Sequence, residues 1–162
     1  MAISKGDTLP DATLIENTES GPKQVSLSER LKGRSVVIFA LPGAFTGTCT
    51  TAHVPSFVRT ADQFRAKGVD EIICLSVNDP FVMAAWDGQT GAGKAGITML
   101  ADPSAEFTKA VGMDFTAPPV GLISRSKRYA MHVVDGHVSV IQAEENPGVC
   151  DMSGGEALLE AI

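Results

Sequence analysis

Residues 35–50, SVVIFALPGAFTGTCT, change from a continuous apolar run into a loop of proline, glycine and threonine around a single cysteine, Cys49. The apolar run is rich in β-branched residues, which predicts a strand covered on both faces. Pro42 and Gly43 end it, because neither residue favours the interior of a strand. A cysteine therefore lies at the corner where a buried strand leads into the next element.

The segment after this corner, residues 49–68 (CTTAHVPSFVRTADQFRAKG), has the spacing of an amphipathic helix. Its apolar residues recur at three- and four-residue intervals, and Gly68 is a stop signal. Pro55 is the one interruption, so the sequence predicts a long helix with a kink. The residues of the apolar face are Ala52, Phe57, Ala61 and Phe64.

The rest of the chain extends the alternation of strand and helix. EIICLSVN (71–78) and GITMLA (96–101) read as strands, and DPFVMAAW (79–86) between them reads as a helix capped by Asp79. The C-terminal part differs. Residues 128–144, RYAMHVVDGHVSVIQAE, are two alternating runs joined at Asp135 and Gly136, which is the signal of a hairpin. Parallel β-α units followed by an antiparallel hairpin and a last helix predict a thioredoxin-like α/β fold, with a mixed central sheet flanked by helices.

Length and composition exclude several classes of protein. The 162 residues are about one domain's worth, so a single domain over residues 1–162 is expected. With 13 basic and 19 acidic side chains the formal charge is -6, which offers no bulk attraction to nucleic acid or to anionic lipid. No apolar stretch reaches the length of a membrane helix and the N-terminus has no secretory pattern, so a cytoplasmic protein is predicted. Three cysteines far apart indicate reduced thiols rather than a disulfide framework.

The predicted position of Cys49 favours reactivity. At the start of a helix its sulfur would lie near unpaired backbone N–H groups and the positive end of the helix dipole, both of which stabilise a thiolate. The alternative is a buried structural cysteine. A C-x-x-C redox motif is absent, because Ala52 occupies the third position after Cys49.

His53, four positions after Cys49, opens two other interpretations. The pair is at most half of a metal site, and no second Cys/His pair accompanies it, so no metal or cofactor is predicted. A Cys-His hydrolase with His53 as the base stays open on the residues alone.

The motifs in this chain resemble those of the peroxiredoxins, in particular the type II (peroxiredoxin 5-like) branch. Pro42, Thr46 and Cys49 form the pattern P-x-x-x-T-x-x-C of that family's active-site loop. SVNDPFVM (76–83) and KRYAMHVVDG (127–136) are similar to the same branch and occur in the same order. The resemblance runs from Ile3 to the C-terminal helix.

This resemblance implies a thiol peroxidase that reduces hydrogen peroxide and organic hydroperoxides. Cys49 would attack the peroxide and become a sulfenic acid. Thr46 would offer its hydroxyl to the peroxide oxygens, and Pro42 would close the pocket against water. Arg128 matches the family's active-site arginine, with Arg125 as the competitor for that role.

The resemblance leaves open which thiol resolves the sulfenic acid. Cys74 matches the second cysteine of the plant type II enzymes, but it also fits an ordinary core position. Cys150 lies in a glycine-rich loop predicted to be exposed, and the residues around it do not match those near the resolving cysteine of animal members. An external thiol, from glutathione, glutaredoxin or thioredoxin, is the third route.

Other expectations concern surfaces and alternative functions. A homodimer is expected from the branch, and Phe45, Phe81, Trp86 and residues 115–121 (FTAPPVG) are candidates for the rim of the peroxide pocket or for a dimer face. Two further functions fit parts of the sequence: a redox sensor that uses Cys49 oxidation as a switch, and a non-catalytic thioredoxin-fold interaction module.

Overall fold

A computed structural model describes residues 2–162 and contains a seven-stranded mixed sheet with a separate two-stranded hairpin. The large sheet has the order β2-β1-β5-β4-β3-β8-β9, and β6 pairs with β7. The strands are β1 Thr13–Thr18, β2 Gly21–Ser26, β3 Ser35–Leu41, β4 Glu71–Ser76, β5 Ile97–Ala101, β6 Asp114–Ala117, β7 Leu122–Ser126, β8 Tyr129–Val134 and β9 His137–Ala143. The mixed central sheet is confirmed.

The centre of the sheet is parallel, as the alternating sequence predicts. β3 pairs in parallel with β4, and β4 with β5, so that Cys74 lies between Phe39 and Met99 in the register. β8 then runs antiparallel to β3 and turns into β9 at Asp135 and Gly136, both of which have positive φ. This arrangement brings the C-terminal hairpin directly beside the strand that leads to Cys49.

The helices are α1 Leu27–Leu31, α2 Val54–Ala66, α3 Pro80–Thr90, α4 Glu106–Ala110 and α5 Gly155–Ala161. Asp79 caps α3 by accepting hydrogen bonds from the N–H groups of Phe81 and Val82, as the sequence predicts. Instead of a kink within one long helix, a π-helical turn at Cys49–His53 precedes α2. The Val54 N–H bonds to the Cys49 carbonyl five residues back, a widening that fits Pro55, which has no N–H and crowds the preceding turn.

The two faces of the sheet carry separate cores. On one face α2, α3 and α5 pack against the sheet, and this core includes Phe39, Phe57, Trp86, Cys49 and Cys74. The other face packs against α1 and α4 and includes Ile38, Leu27, Phe107 and Tyr129. Alternate residues of β3 thus enter different cores, which explains the continuous apolar run in its sequence.

Two hairpins lie outside the sequence prediction. β1 and β2 add an antiparallel edge to the sheet, and β6 and β7 form the small second sheet. Most of β2 is exposed and shows no alternation, and the alternation in β6 spans only four residues, which is a weak signal for a strand. Among the helices of residues 2–162, none combines the length and the apolar content that crossing a bilayer requires.

Candidate active site

The loop from Pro42 to Thr48 connects the end of β3 with the turn that carries Cys49, and neighbouring elements hold it in place. Asn78, just after β4, accepts hydrogen bonds from the Ala44 N–H at 3.0 Å and from the Ser76 hydroxyl at 2.6 Å. Because β3 and β4 are parallel, their carboxyl ends meet at one edge of the sheet and bring Asn78 to this loop. Asn78 is a functional residue that sequence reasoning missed, although it lies within the SVNDPFVM motif.

A second attachment fixes the start of the loop. Arg125 on β7 donates from Nη1 to the Pro42 carbonyl at 3.1 Å. A Cβ atom at Gly43 would collide with Nη1 of that guanidinium, so a larger residue here would require the Arg125 side chain to move. Phe45 adopts φ 64° at the tip of the loop and leaves its ring about half exposed.

Cys49 is completely buried at the start of the π-helical turn. Its Sγ atom accepts a hydrogen bond from Arg128 Nη2 at 3.2 Å. A guanidinium at this distance stabilises negative charge on the sulfur, and the unpaired N–H groups at the start of a helix act in the same sense. Behind the cysteine, Trp86 donates from Nε1 to the Thr50 hydroxyl at 3.0 Å.

Arg128 precedes β8 and is 2% exposed, so its charge must be satisfied by protein groups. The Pro147 carbonyl accepts from Nε at 3.1 Å and from Nη2 at 2.9 Å. Nη1 lies 3.0 Å from His53 Nδ1. The structure thus brings Arg128 to the sulfur of Cys49, while Arg125 binds the backbone of the loop.

His53 has a different role from either of those considered in the sequence. Its Nε2 lies 3.0 Å from the Ser153 carbonyl, which only accepts, so Nε2 carries the proton and Nδ1 accepts from Arg128. Burial and the Arg128 charge lower the pKa of His53 to about 3, so the ring is neutral. Both nitrogens are occupied, and neither serves as a metal ligand or as a base for Cys49.

Thr46 and Pro42 lie at the mouth of a cavity of about 310 Å³. The Thr46 hydroxyl donates to the Gly43 carbonyl at 2.7 Å, which leaves its oxygen lone pairs as acceptors. The wall of the cavity is mostly apolar and includes Phe115, Ala117, Val120, Leu122 and Pro147, together with Arg128.

The other aromatic candidates for the rim lie elsewhere. Trp86 is completely buried in the core, and Phe81 is exposed at the start of α3 and does not line the cavity. Residues 115–122, in contrast, supply much of the wall.

Cys74 is buried on the same face of the sheet as Cys49. Burial, and after it the nearby Cys49 sulfur and Asp87, raises the pKa of the Cys74 thiol well above its usual value. The three cysteines are all free in this structure. A thiol in this environment is a poor nucleophile as long as the strand stays covered.

Cys150 is half-buried rather than exposed, which corrects the expectation from its glycine-rich loop. The loop lies against the active site, since the Thr48 hydroxyl donates to the Gly148 carbonyl at 2.9 Å. Burial raises the pKa of the Cys150 thiol and outweighs the opposing effects of the Ser153 hydrogen bond and the Arg128 charge.

Across residues 2–162, no three side chains of histidine, cysteine, aspartate or glutamate stand close enough together to hold a metal ion.

The fold and this cysteine-centred site define a class, the redoxins, and comparison with known proteins agrees. The family model described as Redoxin matches residues 4–159. Peroxiredoxin-2E-2, chloroplastic, of Oryza sativa subsp. japonica is 45% identical over 99% of this chain and 72% of its own length. Peroxiredoxin-2D of Arabidopsis thaliana is 40% identical over 99% of this chain and 98% of its own length.

Solved structures place the chain within a narrower group. Reduced Prx3 in complex with H2O2 from Vibrio vulnificus superposes with a TM-score of 0.91 at 44% identity, covering 98% of both chains. Peroxiredoxin 5 from Alvinella pompejana has a TM-score of 0.84 at 32% identity, covering 98% of this chain and 97% of its own. The chain belongs to the peroxiredoxins, in their type II, peroxiredoxin 5-like branch, and is a thiol-dependent peroxidase with a thioredoxin fold.

Proposed function

We propose that Cys49 is the peroxidatic cysteine and that Pro42, Thr46 and Arg128 form its substrate site. The observation that carries this proposal is the hydrogen bond from Arg128 Nη2 to the Cys49 sulfur at 3.2 Å, beside a cavity that Thr46 and Pro42 line. A nucleophile, a fixed cation and an acceptor meet there within a mostly apolar wall. These are the groups that attack on a hydroperoxide requires.

The reaction balances as a two-electron oxidation of the sulfur. The Cys49 thiolate attacks the terminal oxygen of ROOH, the S–O bond forms and the O–O bond breaks, leaving Cys–SOH and RO⁻. The alkoxide takes a proton to leave as ROH, or as water when the substrate is hydrogen peroxide. Arg128 stabilises the charge that moves onto the leaving oxygen, because its guanidinium already faces the sulfur.

Thr46 and Pro42 act on the substrate before the bond breaks. Since the Thr46 proton points at the Gly43 carbonyl, its oxygen accepts the hydrogen bond of the hydroperoxide O–H and orients the terminal oxygen toward Cys49. Pro42 brings no N–H group to the cavity mouth, so it excludes water without competing for the peroxide.

For the resolving step, an external thiol fits this fold better than either remaining cysteine. A thiol attacks as the thiolate, and burial raises the pKa of both Cys74 and Cys150. The sulfenic acid would then be resolved by glutathione or by a glutaredoxin- or thioredoxin-type protein. Resolution by Cys74 would require β4 and the turn at 49–53 to open.

The test combines turnover with intact mass. We expect the wild-type protein to consume hydrogen peroxide and an alkyl hydroperoxide continuously with a thiol reductant, and Cys49→Ser to lose this activity. After one equivalent of peroxide with a sulfenic-acid-selective reagent such as a cyclic 1,3-diketone, a trapped sulfenic acid is expected in the wild type, Cys74→Ser and Cys150→Ser alike.

Other results would change the proposal in defined ways. A mass loss of two hydrogens that disappears only in Cys74→Ser would show an internal disulfide with Cys74, and one that disappears only in Cys150→Ser would assign that role to Cys150. Oxidation of Cys49 without sustained turnover would favour a redox sensor.

We propose in addition that the chain forms a homodimer through the rim of the cavity. Val120 is 71% exposed and lines the cavity, and the exposed side chains of Phe45 and Val149 belong to the loops that border it. Exposed apolar side chains gathered in one place are typical of an interaction surface.

The dimer can be tested with a matched pair of variants. Val120→Lys should shift the molar mass in sedimentation equilibrium from dimer to monomer. Val134→Lys, at an exposed valine on the β8 hairpin, should leave it unchanged. An unchanged mass in both variants would place the interface elsewhere.

The cytoplasm is the compartment we propose, because the three free cysteines suit a reducing environment. Named relatives include chloroplastic and mitochondrial proteins. Localisation of the tagged protein in cells of its source would test this assignment.

A further inference from the structure

Arg128 is held by hydrogen bonds on two sides, to a backbone carbonyl on one side and to a side chain on the other. The Pro147 carbonyl accepts from Nε and Nη2 of Arg128, and His53 Nδ1 accepts from Nη1. The second N–H of Nη2 donates to the sulfur of Cys49. The orientation of the guanidinium therefore depends on the acceptor at its Nη1 end.

The surroundings of His53 fix its ring in one orientation. It is completely buried, with its centroid 5.1 Å from that of Phe39 and 5.7 Å from that of Phe57. Its Nε2–H donates to the Ser153 carbonyl. The ring therefore has no freedom to turn its Nδ1 lone pair away from Arg128.

Ser153 is itself clamped in place. The Glu144 carboxylate accepts from the Ser153 N–H at 2.8 Å and from its hydroxyl at 2.5 Å, and it also accepts from the Asp151 N–H at 3.0 Å. A continuous line of hydrogen bonds thus runs from Glu144 through Ser153, His53 and Arg128 to Cys49. Each link has one donor and one acceptor whose roles are determined by its neighbours.

A neutral ring is essential to this arrangement. A protonated imidazole would direct an N–H at a guanidinium, which has only donors. Burial and the Arg128 charge keep the ring neutral. Without an acceptor at this point, Nη1 would be a buried donor with no partner, and the guanidinium would have to rotate to find one.

We propose that His53 is a positioning residue for peroxide reduction: its Nδ1 acceptor holds Arg128 so that Nη2 faces the Cys49 sulfur and the peroxide. The inference rests on the roles proposed above for Cys49 and Arg128. His53 itself does not touch the sulfur or transfer a proton.

Three variants separate the two hydrogen bonds of the ring. His53→Asn places an amide oxygen near the position of Nδ1 and keeps the acceptor for Arg128. His53→Gln places an amide nitrogen near Nε2 and keeps the donor for Ser153, while His53→Phe keeps the ring and loses both. His132→Asn is the matched control, because His132 is bonded to the Ser35 and Ser139 hydroxyls and does not contact the site.

The first readout is the rate constant of Cys49 oxidation in a single turnover, alongside the free energy of unfolding of each variant. We expect His53→Phe and His53→Gln to lower the rate constant by about tenfold to a hundredfold, since a small misplacement of a catalytic group has effects of this size. His53→Asn should restore most of the loss, and His132→Asn should match the wild type. Adding His53→Phe to Arg128→Lys should cause little further loss.

The second readout is the rate constant of Cys49 alkylation by iodoacetamide at a fixed pH, in a background with Cys74 and Cys150 replaced by serine. This rate constant should fall in His53→Phe and return toward the wild-type value in His53→Asn. This readout needs no turnover, so it tests the inference even if the proposed peroxide chemistry fails.

Two results would overturn the proposal. One is an unchanged rate constant of both Cys49 oxidation and Cys49 alkylation in His53→Phe. The other is a loss of rate constant that only parallels the loss of free energy of unfolding across the variants. His53→Asn would then be no faster than His53→Gln, and the losses in the double variant would be additive.

Discussion

Two arginines three positions apart in the chain reach the same loop and bind different atoms. Arg128 donates to the Cys49 sulfur at 3.2 Å, and Arg125 donates to the Pro42 carbonyl at 3.1 Å. The two contacts differ in what they do during the reaction. Negative charge moves from the sulfur onto the leaving oxygen during the attack, while the carbonyl of Pro42 carries the same partial charge throughout.

This difference predicts unequal effects of substitution. Arg128→Ala should lower the second-order rate constant of peroxide reduction by about 10² to 10³-fold, the size expected for a donor aimed at developing charge. Arg125→Ala should have a mild effect, within about tenfold, because it only loosens the loop. Stopped-flow oxidation of each variant measures both values. Arg128→Lys is the control for misfolding of Arg128→Ala, because it keeps the charge and loses the forked geometry. Equal losses at the two arginines would contradict the assignment.

Among the elements, the close approach of α5 to α2 positions the Ser153 carbonyl that accepts the hydrogen bond of His53. The Gly155 N–H donates to the Ser56 hydroxyl at 2.9 Å. A Cβ atom at Gly155 would lie 2.5 Å from the Ser56 carbonyl oxygen and would also collide with the Thr60 hydroxyl. Ser153 lies two residues before Gly155 in the chain. The packing of the two helices therefore determines where the Ser153 carbonyl meets His53.

Gly155→Ala should therefore separate α5 from α2 and lower the free energy of unfolding by about 1–3 kcal/mol, as overpacking does. The matched control is Gly88→Ala, at an exposed helical glycine of α3 where a Cβ meets no atom within 4 Å. That variant should be neutral or more stable by about 0.5–1 kcal/mol, since alanine is the better helix former. Urea unfolding compares the two, and equal effects would argue against the close approach.

At the scale of the whole molecule, the neutral His53 makes stability depend on pH. In the unfolded chain histidine takes up a proton near its ordinary value of 6.5, but burial and the Arg128 charge lower the pKa of His53 in the fold to about 3. Between these values the unfolded state binds more protons than the folded state, so stability present above pH 6.5 is lost as the pH falls. Burial lowers the pKa of His132 as well, which adds to the same slope.

The expected result is a free energy of unfolding that decreases from pH 6.5 downward in the wild type and decreases less steeply in His53→Asn. The comparison is best made above pH 4.5, the ordinary value for Glu71, whose folded pKa is lowered. Burial raises the pKa of Glu71, and the hydrogen bonds from Arg30 and Thr98 outweigh this effect. Urea titrations at several pH values measure the slopes, and parallel slopes would contradict a neutral His53. A single transition would also support the one domain predicted for residues 1–162.

Local pattern was enough to predict the central β-α units. β3 is apolar at every position after Ser35 because it borders two cores, and Asp79 and Pro80 mark the start of α3. Such signals lie within a few residues of the structure that they specify. The hairpin β1–β2 escaped prediction because the exposed strand β2 shows no alternation of apolar and polar residues, and β6–β7 because the alternation in β6 spans only four residues.

The sequence alone was enough to predict a cysteine at the start of a helix after a buried strand, with Pro42 and Thr46 in the same loop. Resemblance to a family was needed to single out Arg128, because nothing in its immediate neighbourhood distinguishes it from Arg125. Only the tertiary structure showed that His53 faces Arg128 and that Asn78 binds this loop. It also showed that the carbonyls of Pro147 and Ser153 accept from Arg128 and His53. These partners lie between about 30 and 100 positions away from the groups they bind, apart from Pro147, which lies 19 positions after Arg128. Which of them meet depends on the order of strands in the sheet, and spacing along the chain carries no record of that order.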